Sequence, residues 1–167
     1  QDPRITAPAA EIAARDSLAR TINARVGAIH DALIRLRDTK AQVASFLDRT
    51  KDVPSGGAIA AKGKEIVGVV ELLEPQLSTK AANGQDVINY RNGLNAQYAF
   101  LLSAVEGNHV VSQPSRERFA ELERLWSAVL GRIEALERQE IPAFNKLLQD
   151  GGVNGVIVRT VKPKLVT

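Results

Sequence analysis

The chain has 167 residues, a hydrophobic fraction of 44% and a formal net charge of +3, which fits one globular domain with a core and argues against disorder. Only 4% of the residues are aromatic, and neither Cys nor Met occurs, so disulfides and thiolate metal sites are excluded. The segment after Asp150 carries Arg159, Lys162 and Lys164 and no acid, so it accounts for the whole net charge. The rest is neutral despite a pI of about 9.4, and that is not the basic stripe of a nucleic-acid binder.

Residues 1–5 hold an Asp-Pro step that disfavours helix before Pro3 and reads as a connector from a preceding domain. The opening Gln1-Asp2-Pro3-Arg4, with no Met, is expected to be a piece of a longer chain. From Thr6, a candidate N-cap with Pro8 in the first turn, Ala19, Ile22, Val26, Ile29, Leu33, Leu36, Val43 and Leu47 recur at steps of three and four. This predicts a long amphipathic helix to about Thr50, with Lys40 on the seam snorkelling its ammonium outward. A helix of that length, roughly 60 Å at about 1.5 Å per residue, needs others along most of it.

Pro54, Gly56 and Gly57 stop the first helix. Ile59, Ile66, Val70, Leu73 and Leu77 mark a second, in which Pro75 predicts a bend or break near Leu72. Asn83-Gly84 is a turn, and Asp86 is a candidate cap for a third helix carrying Tyr90, Leu94, Tyr98, Leu101 and Val105. Ser112-Gln113-Pro114 then opens a fourth, striped by Phe119, Leu122, Trp126, Val129, Ile133, Leu136, Phe144 and Leu147 and kinked at Pro142. Gly151-Gly152 ends it. The expectation is an all-α, antiparallel up-down four-helix bundle over residues 6–150, with a long first helix and an extended basic tail over 151–167. No apolar run approaches the roughly 18 residues needed to span a bilayer.

A search for chemistry returns little. Glu106 and His109 match the Glu-x-x-His pattern of di-iron bundles, but His30 has Gly27 three positions before it, and Gly107-Asn108 puts His109 in a loop. Gly57 and Gly63-Lys64 resemble a phosphate-binding loop, with one residue too many between the glycines and Glu65 where Ser or Thr is required. Acids such as Glu121, Glu123, Glu134 and Glu137 lie beside Arg124 and Arg138 in a salt-bridged face. Trp126 is in register with the core. Tyr90 and Tyr98 are candidates for a binding patch, since phenols bury a ring and need a partner for the hydroxyl. No catalytic residue, metal ligand or cofactor site is assigned.

The tail Val156-Ile157-Val158-Arg159-Thr160-Val161 is β-branched and has two readings: a cover over the bundle, or a strand completed by a partner. On the second, Val156, Ile157, Val158, Arg159 and Val161 dock on a sheet edge, with Lys162 and Lys164 at the rim.

Gly84-Gln-Asp-Val-Ile-Asn-Tyr-Arg-Asn-Gly-Leu-Asn-Ala-Gln-Tyr and Ile141-Pro-Ala-Phe-Asn-Lys-Leu-Leu resemble the C-terminal helical region of bacterial sortilin-like BNR-repeat β-propeller proteins, often labelled glycosyl hydrolases. The resemblance covers most of the chain. It departs at Pro75 and in the length of the tail. It implies an exported parent (periplasmic, cell-surface or extracellular) with propeller and immunoglobulin-like β-sandwich domains upstream, and a non-catalytic structural or protein-interaction role for this segment. Its partners would be those domains or other protein subunits. Two alternatives are an accessory domain presenting glycan or peptide to a catalytic propeller, and a ligand-sensing bundle.

Overall fold

The computed structural model describes residues 7–52, 54–78, 92–153, 156 and 158. Of these, 84% are helical and none is in a strand, so the fold is all-α. The helices are α1 (Ala9–Arg49), α2 (Gly56–Leu77), α3 (Leu94–Glu106), α4 (Gln113–Ala135) and α5 (Ile141–Asp150), with a π turn (Leu136–Glu140) joining α4 to α5 without a loop. This is the helical bundle with a long first helix that the periodicity predicts. None of the helices is long and apolar enough to cross a membrane.

The helices group into two compact units, one drawn from Gln1–His30 and Gln76–Ala128, the other from Asp31–Pro75 and Val129–Thr167. In the first unit the start of α1, α3 and most of α4 pack together. Ile22, Ile29, Leu94, Tyr98, Leu101, Val105, Leu122 and Trp126 are buried. The ion pairs Arg116–Glu11 and Arg25–Glu123 align α1 with α4 in one direction, and the short link 107–112 returns α3 against α4. In the second unit Arg37–Glu74 and Lys40–Glu71 set α2 antiparallel to α1, and Lys62–Glu140 ties α2 to the π turn.

The α1 seam slips by one position in its second half. Thr39 and Phe46 are buried, while Lys40 and Leu47 are only half-buried. The 3.6-residue repeat drifts against a regular alternation of three and four, and Phe46 offers the larger apolar surface, packing edge-on to Phe144 at 6.4 Å. Lys40 places its ammonium on Glu71, 2.7 Å away.

In α2 every predicted seam residue is fully buried. Gly63 completes the 4-3-4-3-4 series from Ile59 to Leu77 and makes room for Leu47, since a Cβ there would meet Leu47 Cδ2 at 2.6 Å. The expected break near Leu72 is absent, because α2 runs through Pro75 to Leu77. Pro75 lies in the last turn, so few helical bonds beyond it are at stake.

Two helix starts differ from expectation. α1 begins at Ala9, with the Pro8 carbonyl accepting the Ile12 N–H at 3.2 Å, and Thr6 lies outside the described residues. α3 begins only at Leu94, with Gly93 as its N-cap in extended backbone. Gly93 and Ser78, on either side of the segment 79–91, come so close that a Cβ on Gly93 would lie 2.6 Å from Ser78 Cα. A residue with a side chain could not make that approach, and this sets where α3 starts. Asp86 falls in 79–91, outside the described residues. The start of α4 is as read: Ser112 Oγ accepts the Ser115 N–H at 3.3 Å and caps the helix.

The kink predicted at Pro142 takes the form of a π turn. Pro142 has no N–H for the Arg138 carbonyl, and its ring would crowd that carbonyl in a regular helix. Widening the turn, with the Ile141 N–H on the Leu136 carbonyl, removes the conflict and inserts one residue into the stripe. The buried positions accordingly run Leu122, Trp126, Val129, Ile133, Leu136, then Ile141, Phe144 and Leu148. Leu148, and not Leu147, reaches the core.

Candidate functional site

The best-built polar arrangement is a triad inside the first unit. Arg25 on α1 meets Glu123 on α4 through a two-pronged contact, Nε to Oε1 and Nη2 to Oε2, each 2.7 Å. Tyr98 on α3 donates its hydroxyl to Glu123 Oε1, also at 2.7 Å. Arg25 and Glu123 come from beside the core stripes of α1 and α4, where a long side chain can pack its stem and still reach a partner, and Tyr98 comes from the buried stripe of α3 itself.

Tyr98 has no exposed surface, and its ring packs edge-on to Phe119 with centroids 6.5 Å apart. The hydrogen bonds from Arg25, and secondarily Tyr98, hold the Glu123 carboxyl below its usual range against the opposing effect of burial. Burial, reinforced by the bond to Glu123, pushes the Tyr98 phenol upward. The Arg25 guanidinium is likewise raised by its bond to Glu123. The three groups bond to one another, so the arrangement ties three helices together.

Of the proposed tyrosine patch, Tyr98 is thus spent inside the core, and Tyr90 lies outside the described residues. Trp126 is 4% exposed and part of the core, as its register predicts. Glu106 ends α3 and His109 is exposed in the turn after it. Among the described residues no group of three or more His, Cys, Asp or Glu is placed to hold a metal ion. A shallow groove in the first unit is lined by Arg15, Asp16, Ala19, Arg20, Asn23 and Glu106. Arg15 is already held there by Asp16 at 2.8 Å and by the Asn108 carbonyl.

At the other end of the chain, sequence reasoning missed a contact. Asn145 on α5 uses both halves of its carboxamide on one residue of the tail. Nδ2 donates to the Val156 carbonyl at 2.8 Å, and Oδ1 accepts the Val156 N–H. Val156 is 5% exposed, so this docking candidate is seated within the second unit, and Val158 is half-buried. Ile157, Arg159, Val161, Lys162 and Lys164 lie outside the described residues.

The path to that seat begins at Gly151-Gly152. The Gly152 N–H bonds the Gln149 carbonyl at 2.9 Å, and the Val153 N–H bonds the Leu148 carbonyl at 2.8 Å. With Gly152 at φ 77°, this is a complete Schellman stop. The signal available in sequence was Asn145 itself, an amide next to a core position eleven residues before a β-branched run.

These features define a helical bundle whose most developed polar contacts are internal ties. Comparison with family models, with curated proteins and with solved structures finds no match to the chain.

Proposed function

We propose that this segment is a non-catalytic structural and protein-interaction module, carried at the C-terminus of an exported, multidomain β-propeller protein of the sortilin-like BNR type. The observation that supports the non-catalytic part is the Arg25–Glu123–Tyr98 triad. A buried phenol and a carboxylate with a perturbed pKa mark a reactive site in many proteins, but here each is consumed by the other and by the Arg25 fork. The parent architecture rests on the resemblance at residues 84–98 and 141–148. Within those segments Phe144 packs in the core and Asn145 holds the tail, so the Pro-Ala-Phe-Asn element has a structural use in this chain.

The deciding experiment is deletion of the segment from the full-length parent, combined with the parent's upstream sequence. The expected result is a folded remainder with unchanged turnover on any substrate it processes, and lost association with a partner or with the parent's own β-domains. A fall in turnover by a folded remainder makes the segment an accessory domain. An upstream region without a propeller removes the parent architecture from the proposal.

A further inference from the structure

On α1, Asp16, Ala19, Arg20 and Asn23 fall on one face at steps of three and four, with Arg15 one turn before Ala19. Ala19 is the small residue among long ones, so the face dips there. Glu106, at the end of α3, closes the dip into a groove of about 310 Å³ within the first unit, the small end of the range for ligand sites. Arg15 makes one fixed wall, since its guanidinium is held by Asp16 and by the Asn108 carbonyl.

The charges here differ from those around them. The other cations of α1, Arg15, Arg25, Arg35, Arg37, Lys40 and Arg49, each rest on a carboxylate, a carbonyl or a ring, whereas Arg20 has no partner among the described residues. Among the described residues of the first unit, Glu11, Asp16, Glu117, Glu121 and Glu123 are all bonded, and Glu106 is the one carboxylate that is not. The exposed Asn23 side chain is likewise unbonded among them. Arg20 and Glu106 line the same groove and do not pair with each other. With Arg15 and Arg20 against Asp16 and Glu106, the groove is formally neutral. A lone anion is repelled by the two carboxylates and a lone cation by the two guanidiniums, while a molecule carrying both charges satisfies the two open groups at once.

We propose that this groove binds a small zwitterion of the amino-acid class, its carboxylate on Arg20 and its ammonium on Glu106, with the Asn23 carboxamide as a further hydrogen-bonding group. Arg20 offers a planar fork that suits a carboxylate, and Glu106 accepts from an ammonium. Both groups are exposed, so binding is of the order of millimolar and weakens with salt. Neither the identity of the parent nor the interaction role bears on this site.

The test titrates the full, 15N-labelled chain with glycine, 4-aminobutyrate, 6-aminohexanoate and diglycine, a series that varies the separation of the two charges, and follows backbone amide shifts by NMR. At least one of the four is expected to give saturable shifts confined to residues 15–23 and 103–108. Arg20→Gln and Glu106→Gln are each expected to weaken that binding about fivefold or more, the upper worth of an exposed ion pair. Arg124→Gln, which removes the same charge from an exposed position outside the groove, is expected to leave it unchanged. Acetate and methylamine, at matched ionic strength, should bind about fivefold or more weakly than the zwitterion. The proposal is overturned if none of the four gives saturable shifts there, if binding survives both groove variants, or if Arg124→Gln weakens it as much. Acetate or methylamine binding as well as the zwitterion overturns it too, because the groove would then be a simple anion or cation site.

Discussion

Tyr98 gains nothing from its ring chemistry and much from its position: the ring fills the first unit's core, and the hydroxyl, which could not be buried alone, finds Glu123. Tyr98→Phe is expected to cost about 0.5–1.5 kcal/mol, the net value of one hydrogen bond. Glu123→Ala should cost more, about 1–3 kcal/mol, because it strands the buried hydroxyl. Urea titrations of the two variants at neutral pH check the order.

The pH dependence follows from the two shifts. The Glu123 carboxyl is depressed on folding, so its contribution is present above its ordinary value of 4.5 and is lost as the pH falls through the folded value. The Tyr98 phenol is raised, so its contribution is present below its ordinary value of 10.0 and is lost as the pH rises from there through the folded value. Melting temperatures recorded against pH should therefore fall more steeply for the wild type than for Glu123→Gln on the acid side. On the alkaline side they should fall more steeply than for Tyr98→Phe.

Glycines separate in the same way. Nothing lies within 4 Å of a Cβ on Gly68, so Gly68→Ala should stabilise α2 by about 0.5–1 kcal/mol, whereas Gly93→Ala drives a methyl into the Ser78 backbone and should destabilise. Thermal melts that rank the two variants the other way would count against the close approach of Ser78 and Gly93.

At the scale of elements, the π turn is the feature with the most consequence, since it converts a stripe broken by a five-residue step into one continuous buried face. Deleting Gln139 together with Pro142→Ala should therefore be tolerated. The step from Leu136 to the next core residue becomes four, and α4 can continue into α5 as regular helix. Deleting Arg132 instead rotates everything downstream by about 100° per residue and should unfold the second unit. Circular dichroism melts distinguish the outcomes: a cooperative transition within a few degrees of wild type for the first, and a lost or broadened transition for the second.

The tail belongs at this scale too. Truncation after Asp150 removes the Schellman stop, the Asn145 bonds and the buried Val156 side chain, whose transfer alone is worth about 1.5–3 kcal/mol. The truncated chain is expected to melt several degrees lower. An unchanged melting temperature would mean that Val156 does not hold its seat in solution.

For the described residues, the periodicity of apolar residues was enough to establish the helices and the dominance of the first one, because a 3.6-residue repeat is a local property that survives any arrangement of neighbours. It was enough as well to place Trp126 in the core and His109 in a loop. Where a helix starts or which of two adjacent residues faces inward depends on what the neighbour needs, and there the tertiary structure decided. Gly93 is a helix start because Ser78 backbone lies against it. Thr39 and Phe46 displace Lys40 and Leu47 because Glu71 and Phe144 wait on either side. Asn145 looked like one more polar residue on a helix. Its partners, the N–H and C=O of a residue eleven positions later, are groups that every residue but proline carries, so the side-chain pattern offered only the amide itself, and the folded chain alone brings the partners to it.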